Sequence, residues 1–213
     1  MQRLVFHFDF ISPFAWLAFD RLPQALEGCS FVAEFRPLLF AGLLQRWGQK
    51  GPAEIEPKRA WTFRHVAWLA AQQGTPLDMP AQHPFNPLPL LRLALACDAG
   101  LQPNRRVVEA IFRHVWQGGA DATDPDRLLA LTATLAPVHD PAGAEVKAEL
   151  RRLTDEAAAA GLFGVPTVEL QGRHFWGLDA LPMVRAALLG DPWFDGPAWE
   201  DMGRQRPGIV RKG

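Results

Sequence analysis

Two dipeptides in this chain have the residue types and the setting to do chemistry. Ser12-Pro13 falls between Leu4-Val5-Phe6-His7-Phe8-Asp9-Phe10, an alternating run that reads as a strand, and a helical pattern from Phe14 to Leu26. Serine is a good helix N-cap and proline suits the first helical position. Ser12, flanked by Asp9 and Phe14, therefore stands where a strand ends and a helix begins. The free N–H groups and dipole of such a helix start favour negative charge. A hydroxyl there can donate to an anion, although on local sequence alone it serves as readily as a plain cap. The second dipeptide, Val165-Pro166, opens a late strand. Proline at such a place is often cis, and the residue before it offers backbone N–H and C=O to an extended peptide. Nothing pairs Ser12 with a general base in the Ser-His-Asp sense. His7 and His174 lie near the strands and read as packing or surface residues.

These two positions need elements to hold them. Phe31 to Arg36 reads as a second strand, and a right-handed crossover makes it parallel to the first. The middle of the chain is helical. Helices are expected over Lys58–Gln73, Leu90–Ala99, Asn104–Gln117, Asp124–Ala136 and from Asp140 towards Ala160, each bounded by Gly, Pro or Asp signals. Pro166 to Leu170 and Arg173 to Trp176 form a hairpin about Gln171-Gly172. A last helix runs over Asp179–Leu189, and the tail from Asp191, with Trp193 and Trp199, is expected to pack as an extended arm. The order β-α-β, helices, β-β-α implies an α/β fold with an all-α insertion.

Composition narrows the function classes. The 213 residues are 48% hydrophobic, enough for one well-buried core with an insertion. Lys and Arg total 22 against 23 Asp and Glu, so no basic stripe points to nucleic acid. No apolar stretch reaches membrane-spanning length, and no signal peptide precedes the first strand, so no membrane partner is expected. Two cysteines, Cys29 and Cys97, exclude a disulfide framework and read as inert core thiols of a cytoplasmic protein. No metal-ligand spacing occurs among the histidines.

Phe8-Asp9-Phe10-Ile11-Ser12-Pro13-Phe14-Ala15-Trp16 resembles the opening of the disulfide-oxidoreductase A superfamily, whose turn carries Cys-Pro-x-Cys. Here those places read Ser12-Pro13-Phe14-Ala15. A chain without the cysteines cannot exchange dithiol for disulfide by the usual route. The serine version is similar to the 2-hydroxychromene-2-carboxylate isomerases and kappa-class glutathione transferases. Phe35-Arg36-Pro37, Gly48-Gln49-Lys50-Gly51-Pro52, Pro57-Lys58-Arg59, Pro84-Phe85-Asn86, Gly161-Leu162-Phe163-Gly164-Val165-Pro166-Thr167 and Phe175-Trp176-Gly177-Leu178-Asp179 extend the likeness along nearly the whole chain. The resemblance implies a thioredoxin-like fold (βαβ…ββα), with residues 1–38 and 162–213 as that domain and 39–161 as the helical insertion. It departs from the family where Asn is common at Gln49, where Asn, Gln or Ser is common at Leu178, and at Leu44, where a naphthalene-pathway relative carries Lys.

The resemblance also implies a borrowed thiol, glutathione, as cofactor. A thiol near its ordinary pKa of about 8.5 is mostly protonated at neutral pH. A hydroxyl donor and a helix N-terminus, each worth about 1 kcal/mol, lower that pKa by about one unit. Ser12 is thus the expected catalytic residue, as thiolate stabiliser. Val165 and Pro166 are expected against the cysteinyl backbone, Leu178 and Asp179 at the γ-glutamyl end, and Gln49 and Lys58 near other polar groups. Asp179 could equally just start the last helix. Phe14 and Trp16 are the expected wall of a pocket for a small aromatic substrate. The activity implied is isomerisation of 2-hydroxychromene-2-carboxylate-type catabolites to trans-benzylidenepyruvates by transient thiolate addition, in a homodimer. The alternatives are a kappa-like transferase or peroxidase and a non-catalytic peptide-binding relic.

Overall fold

A computed structural model describes residues 1–204, 206 and 208. The alternation at the N-terminus folds as strand β1 (Gln2–Phe8), followed by helix α1 (Pro13–Ala25) and strand β2 (Phe31–Pro37). As the crossover rule requires, β1 and β2 are parallel, with Phe6 opposite Phe35. Strands β3 (Thr167–Leu170) and β4 (Arg173–Trp176) return antiparallel, completing the order β2-β1-β3-β4. Gln171 and Gly172 both take positive φ, the twist a two-residue hairpin demands.

Between β2 and β3 run α2 (Phe40–Trp47), α3 (Glu56–Gln73), α4 (Leu88–Ala96), α5 (Arg105–Trp116), α6 (Pro125–Leu135) and α7 (Ala144–Ala159). Helix α8 (Leu181–Leu188) follows β4, entered through a 3-10 turn at Leu178–Ala180. The intervening helices share one core with the sheet. Phe8 and Phe10 meet Phe112 of α5 at 5.5 and 4.8 Å between ring centroids, and Phe19 of α1 meets the same ring at 5.3 Å. Edge-to-face and tilted contacts at these spacings add to what burial alone contributes.

Three features depart from expectation. Helix α2 occupies a stretch for which no element was expected. Its N-cap, Leu39, has no capping side chain. Instead the carboxylate of Asp9 accepts from Phe40 N–H at 2.9 Å, and Thr154 Oγ1 accepts from Leu39 N–H at 3.0 Å, so caps from remote segments complete the helix start. Helix α7 starts at Ala144, because Asp140 spends its side chain on Ala142 N–H (2.8 Å) and its carbonyl on Gly143 N–H. The tail is no extended arm. Asp191 accepts from Trp193 N–H at 2.9 Å and starts a 3-10 turn at Pro192–Asp195; α9 (Pro197–Gly203) follows. Pro192 and Pro197 occupy first helical positions, where proline starts a helix and does not break it. Phe194 and Trp199 pack on Phe175, each 5.7 Å away. The tail's residues 205, 207 and 209–213 lie outside the described residues.

Candidate functional site

Ser12 ends the β1–α1 turn and caps α1, its Oγ accepting from Ala15 N–H at 3.2 Å. The same hydroxyl donates to Val165 O at 3.4 Å, across a separation of 153 residues. The Val165–Pro166 peptide is cis. Ser12 and Val165 are both 7% exposed, so this contact forms a nearly closed floor. Phe14 N–H, in the first turn of α1, has no acceptor among the described residues. It is the free donor that a helix start presents to an anion.

The turn is held from all sides. Ser12 N–H donates to Asp9 O at 3.1 Å, and Ile11 N–H to Asp9 Oδ1 at 3.1 Å. Trp116 Nε1–H reaches in from α5 to Phe10 O at 3.0 Å. His83, from the loop before α4, places Nε2 at 2.8 Å from Ile11 O. A carbonyl only accepts, so Nε2 carries a proton and donates it to Ile11 O. Burial keeps His83 below its ordinary pKa, against the pull of that carbonyl, and Nδ1 is buried without a partner. Asp9 is fully buried. Burial pushes its carboxyl up to about 7, while the N–H groups of Phe40, Ile11 and Phe10 pull it down.

The strand side is equally constrained. Thr167 Oγ1 donates to Gly164 O at 2.7 Å, and Gly177 N–H donates to Pro166 O at 2.9 Å. A Cβ at Gly164 would lie 2.5 Å from Trp176 Nε1, so only glycine lets the indole close there. Gly177 takes φ +100, and from it the chain turns to set Leu178 and Asp179 beside Pro166.

A cleft of about 660 Å³ opens in front of this floor. Phe14 and Arg21 of α1, His65, Leu69 and Gln73 of α3, and Leu181 and Arg185 of α8 form its walls. Val165, Pro166, Leu178 and Asp179 line its strand end; Ser12 lies just behind Val165. A depression along the β2 edge (about 670 Å³) and one between α4 and α7 (about 1020 Å³) are as large or larger. Neither includes Val165 or Pro166.

Six of the expected residues thus come together: Ser12, Phe14, Val165, Pro166, Leu178 and Asp179. Trp16 does not join them. It is 1% exposed, stacked in the core and donating Nε1–H to Pro76 O at 3.0 Å. Consecutive helical residues are about 100° apart, so Phe14 and Trp16 face nearly opposite ways and cannot both wall one cleft. Gln49, on the segment joining α2 to α3, and Lys58, in the first turn of α3, are exposed and do not line the cleft. Sequence reasoning missed the cleft residues of α3. Their i, i+4, i+8 spacing (His65, Leu69, Gln73) marks one helical face, a signal that was present. Among the described residues no cluster of His, Cys, Asp and Glu could hold a metal, and no helix is long and apolar enough to cross a membrane.

A βαβ–ββα sheet with a capped turn facing a cis-proline strand end defines a thioredoxin-like protein, here with serine where a thiol would stand. The model of the DSBA-like thioredoxin domain matches residues 3–189, and the chain belongs to that family. The chain is 29% identical over 198 residues to the 2-hydroxychromene-2-carboxylate isomerase of Sphingobium xenophagum, covering 88% of this chain and 98% of that protein. It is 25% identical over 204 residues to the glutathione S-transferase kappa 1 of Rattus norvegicus, covering 87% and 90%. A solved 2-hydroxychromene-2-carboxylate isomerase superposes with a TM-score of 0.76 at 24% identity, covering 95% of this chain and all of that one. The relatives named are enzymes, isomerases and transferases.

Proposed function

We propose that this protein is a glutathione-dependent isomerase that converts 2-hydroxychromene-2-carboxylate-type aromatic catabolites to trans-benzylidenepyruvates. The observation that carries the reading is the Ser12 hydroxyl set 3.4 Å from Val165 O at the floor of an apolar-walled cleft. That bond is long and weak, so the proton turns to a bound sulfur at little cost. With Phe14 N–H beside it, the hydroxyl holds the glutathione sulfur as thiolate. Val165 pairs its backbone with the cysteinyl residue, and the exposed Asp179 carboxylate takes the γ-glutamyl ammonium. The thiolate adds to the unsaturated carbon of the substrate, the ring opens, the new single bond rotates, and elimination returns both the trans double bond and the thiolate. Nothing is consumed, so glutathione is a cofactor in this scheme. A cytoplasmic homodimer goes with it, and sedimentation tests the dimer.

The test is the ultraviolet change of 2-hydroxychromene-2-carboxylate with purified protein, with and without glutathione. Glutathione-dependent turnover is expected, and its absence would sink the reading. The half-buried, apolar Leu44 favours a second reading, a kappa-like transferase, because it leaves no cation at that position for a substrate carboxylate. Conjugation of chlorodinitrobenzene without isomerase activity would decide for it.

A further inference from the structure

The floor of the cleft has two sides, and the direct link between them is one weak bond. Ser12 lies on the β1–α1 turn and Val165 on the loop ahead of β3, joined by the 3.4 Å contact from Ser12 Oγ to Val165 O. In the glutathione reading the hydroxyl turns to the sulfur, so this contact is given up when the ligand binds. The sheet does not replace it. Its last pairing on this side is His7 with Thr167, short of both residues. Another element must then hold the two sides at one spacing.

Helix α2 is attached to both. At its start Asp9 joins it to the turn: Oδ1 accepts from Ile11 N–H at 3.1 Å and Oδ2 from Phe40 N–H at 2.9 Å. Along its length Leu43 packs with Leu38, Ala157, Leu162 and Val165 in a small core separate from the main one. At the far end Trp47 Nε1–H donates to Leu162 O at 2.8 Å, three residues ahead of Val165. Trp47 is 46% exposed, so burial alone does not explain its position. An indole only donates, and this carbonyl is its partner. Leu162 is itself buried, and its N–H bonds Ala157 O at 3.0 Å.

We propose that Trp47 is a positioning residue for the sulfur site: its bond to Leu162 O fastens the loop carrying Val165 to the end of α2, and so sets where a cysteinyl backbone paired with Val165 places its sulfur relative to Ser12. The catalytic meaning rests on the glutathione reading; the brace itself does not. Helix α2 has eight residues and is about 12 Å long, a short rod fixed to the turn at one end and to the loop at the other. Without the indole donor, Leu43 still covers the loop. Apolar contact is non-directional, however, and lets the loop slide where a hydrogen bond would not. Glutathione would still bind, with its sulfur less well aligned on the Ser12 hydroxyl.

Trp47→Phe keeps an aromatic ring and removes the donor. The first measurement needs no ligand. Amide hydrogen exchange over residues 161–165 should be about fivefold faster in Trp47→Phe than in wild type, the worth of one net hydrogen bond. Trp68, exposed on α3, is the control, and Trp68→Phe should leave these rates unchanged. The second measurement is the thiolate titration of bound glutathione. Trp47→Phe should raise the pKa of the bound thiol by about half a unit, with the dissociation constant raised no more than about threefold. In the Ser12→Ala background, which lacks the hydroxyl being aimed at, the same substitution should leave that pKa within about 0.2 units, the non-additivity of two residues acting as one. Faster exchange with an unchanged thiol pKa, or an equal rise in the Ser12→Ala background, would make Trp47 a packing residue and overturn the proposal. Unchanged exchange in Trp47→Phe would overturn it as well. If wild type binds no glutathione, the glutathione reading falls, and exchange alone decides the brace: faster rates in Trp47→Phe keep it and equal rates remove it.

Discussion

The turn at Asp9–Ser12 and the segment carrying Gln49 and Lys58 are built in opposite ways. In the turn, the carbonyls of Phe10 and Ile11 are held by Trp116 and His83, and the amides of Ile11 and Ser12 by Asp9. Both holders other than Asp9 come from the segment inserted between β2 and β3, Trp116 from α5 and His83 from the loop before α4. In the other segment, Gln49 N–H bonds Leu44 O at 2.9 Å and Gly51 N–H bonds Glu54 Oε1 at 2.5 Å, while Gln49, Lys50 and Lys58 stay exposed. The first region is held by buried hydrogen bonds that would be costly to leave unmade. The second can reach a ligand only by moving long, solvated side chains. The difference teaches which region is preorganised: the turn, held by the segment inserted between β2 and β3, and not the polar residues around the rim.

The sharpest way to break the comparison is at Ser12. Ser12→Ala removes both the donor to the thiolate and the cap of α1. Glutathione-dependent turnover should fall by about 10²-fold, as for loss of one preorganised donor, with a stability loss of about 1 kcal/mol from the cap; steady-state kinetics and thermal melting check both. A smaller effect is expected at His83. His83→Phe keeps the packing against Phe63 and Phe85 but leaves Ile11 O without its donor, which should cost about 1–3 kcal/mol in denaturant unfolding and lower kcat. His83→Gln, which can still donate, should restore much of the loss. Equal damage from both variants would mean that the ring packs the turn and does not hold its carbonyl.

Asp9 gives a test in pH. Its carboxyl is raised in the folded state to about 7 from an ordinary 3.8. The unfolded chain therefore releases this proton first as pH rises. The group's contribution to stability is fully present below about pH 4 and is lost as pH climbs through about 7. Asp9→Asn should flatten that part of the melting-temperature profile. A wild-type profile already flat over this range would contradict the raised value. The smallest effects belong to the exposed segment. Gln49→Ala and Lys58→Ala should each raise the dissociation constant for glutathione less than about threefold, the usual worth of exposed polar pairs. A tenfold loss at either would show that the rim closes on the ligand, and the contrast drawn above would fail.

Much of this site was legible in the sequence because it rests on local chemistry. An alternating strand, a Ser-Pro helix start, a proline opening a strand and a Gln-Gly hairpin are each specified within a few residues, and each appears in the structure. What was hidden depends on distance in the chain. Helix α2 has no cap of its own, since Asp9 supplies one across 31 residues. His83 and Trp116 serve the turn from 72 and 106 residues away, and nothing in their neighbours announces it. Trp16 is a different kind of error. Helical geometry alone puts it on the side of α1 opposite Phe14, so the spacing held the answer.

The central claim is that Ser12 holds a borrowed sulfur as thiolate. The most direct measurement is the ionisation of bound glutathione, followed by thiolate absorbance against pH in wild type and in Ser12→Ala. The expected result is a bound thiol whose pKa lies at least about one unit below that of free glutathione, returning most of the way to the free value in Ser12→Ala with binding retained. A bound thiol that titrates like free glutathione in wild type, or a depressed value unchanged by Ser12→Ala, would contradict it.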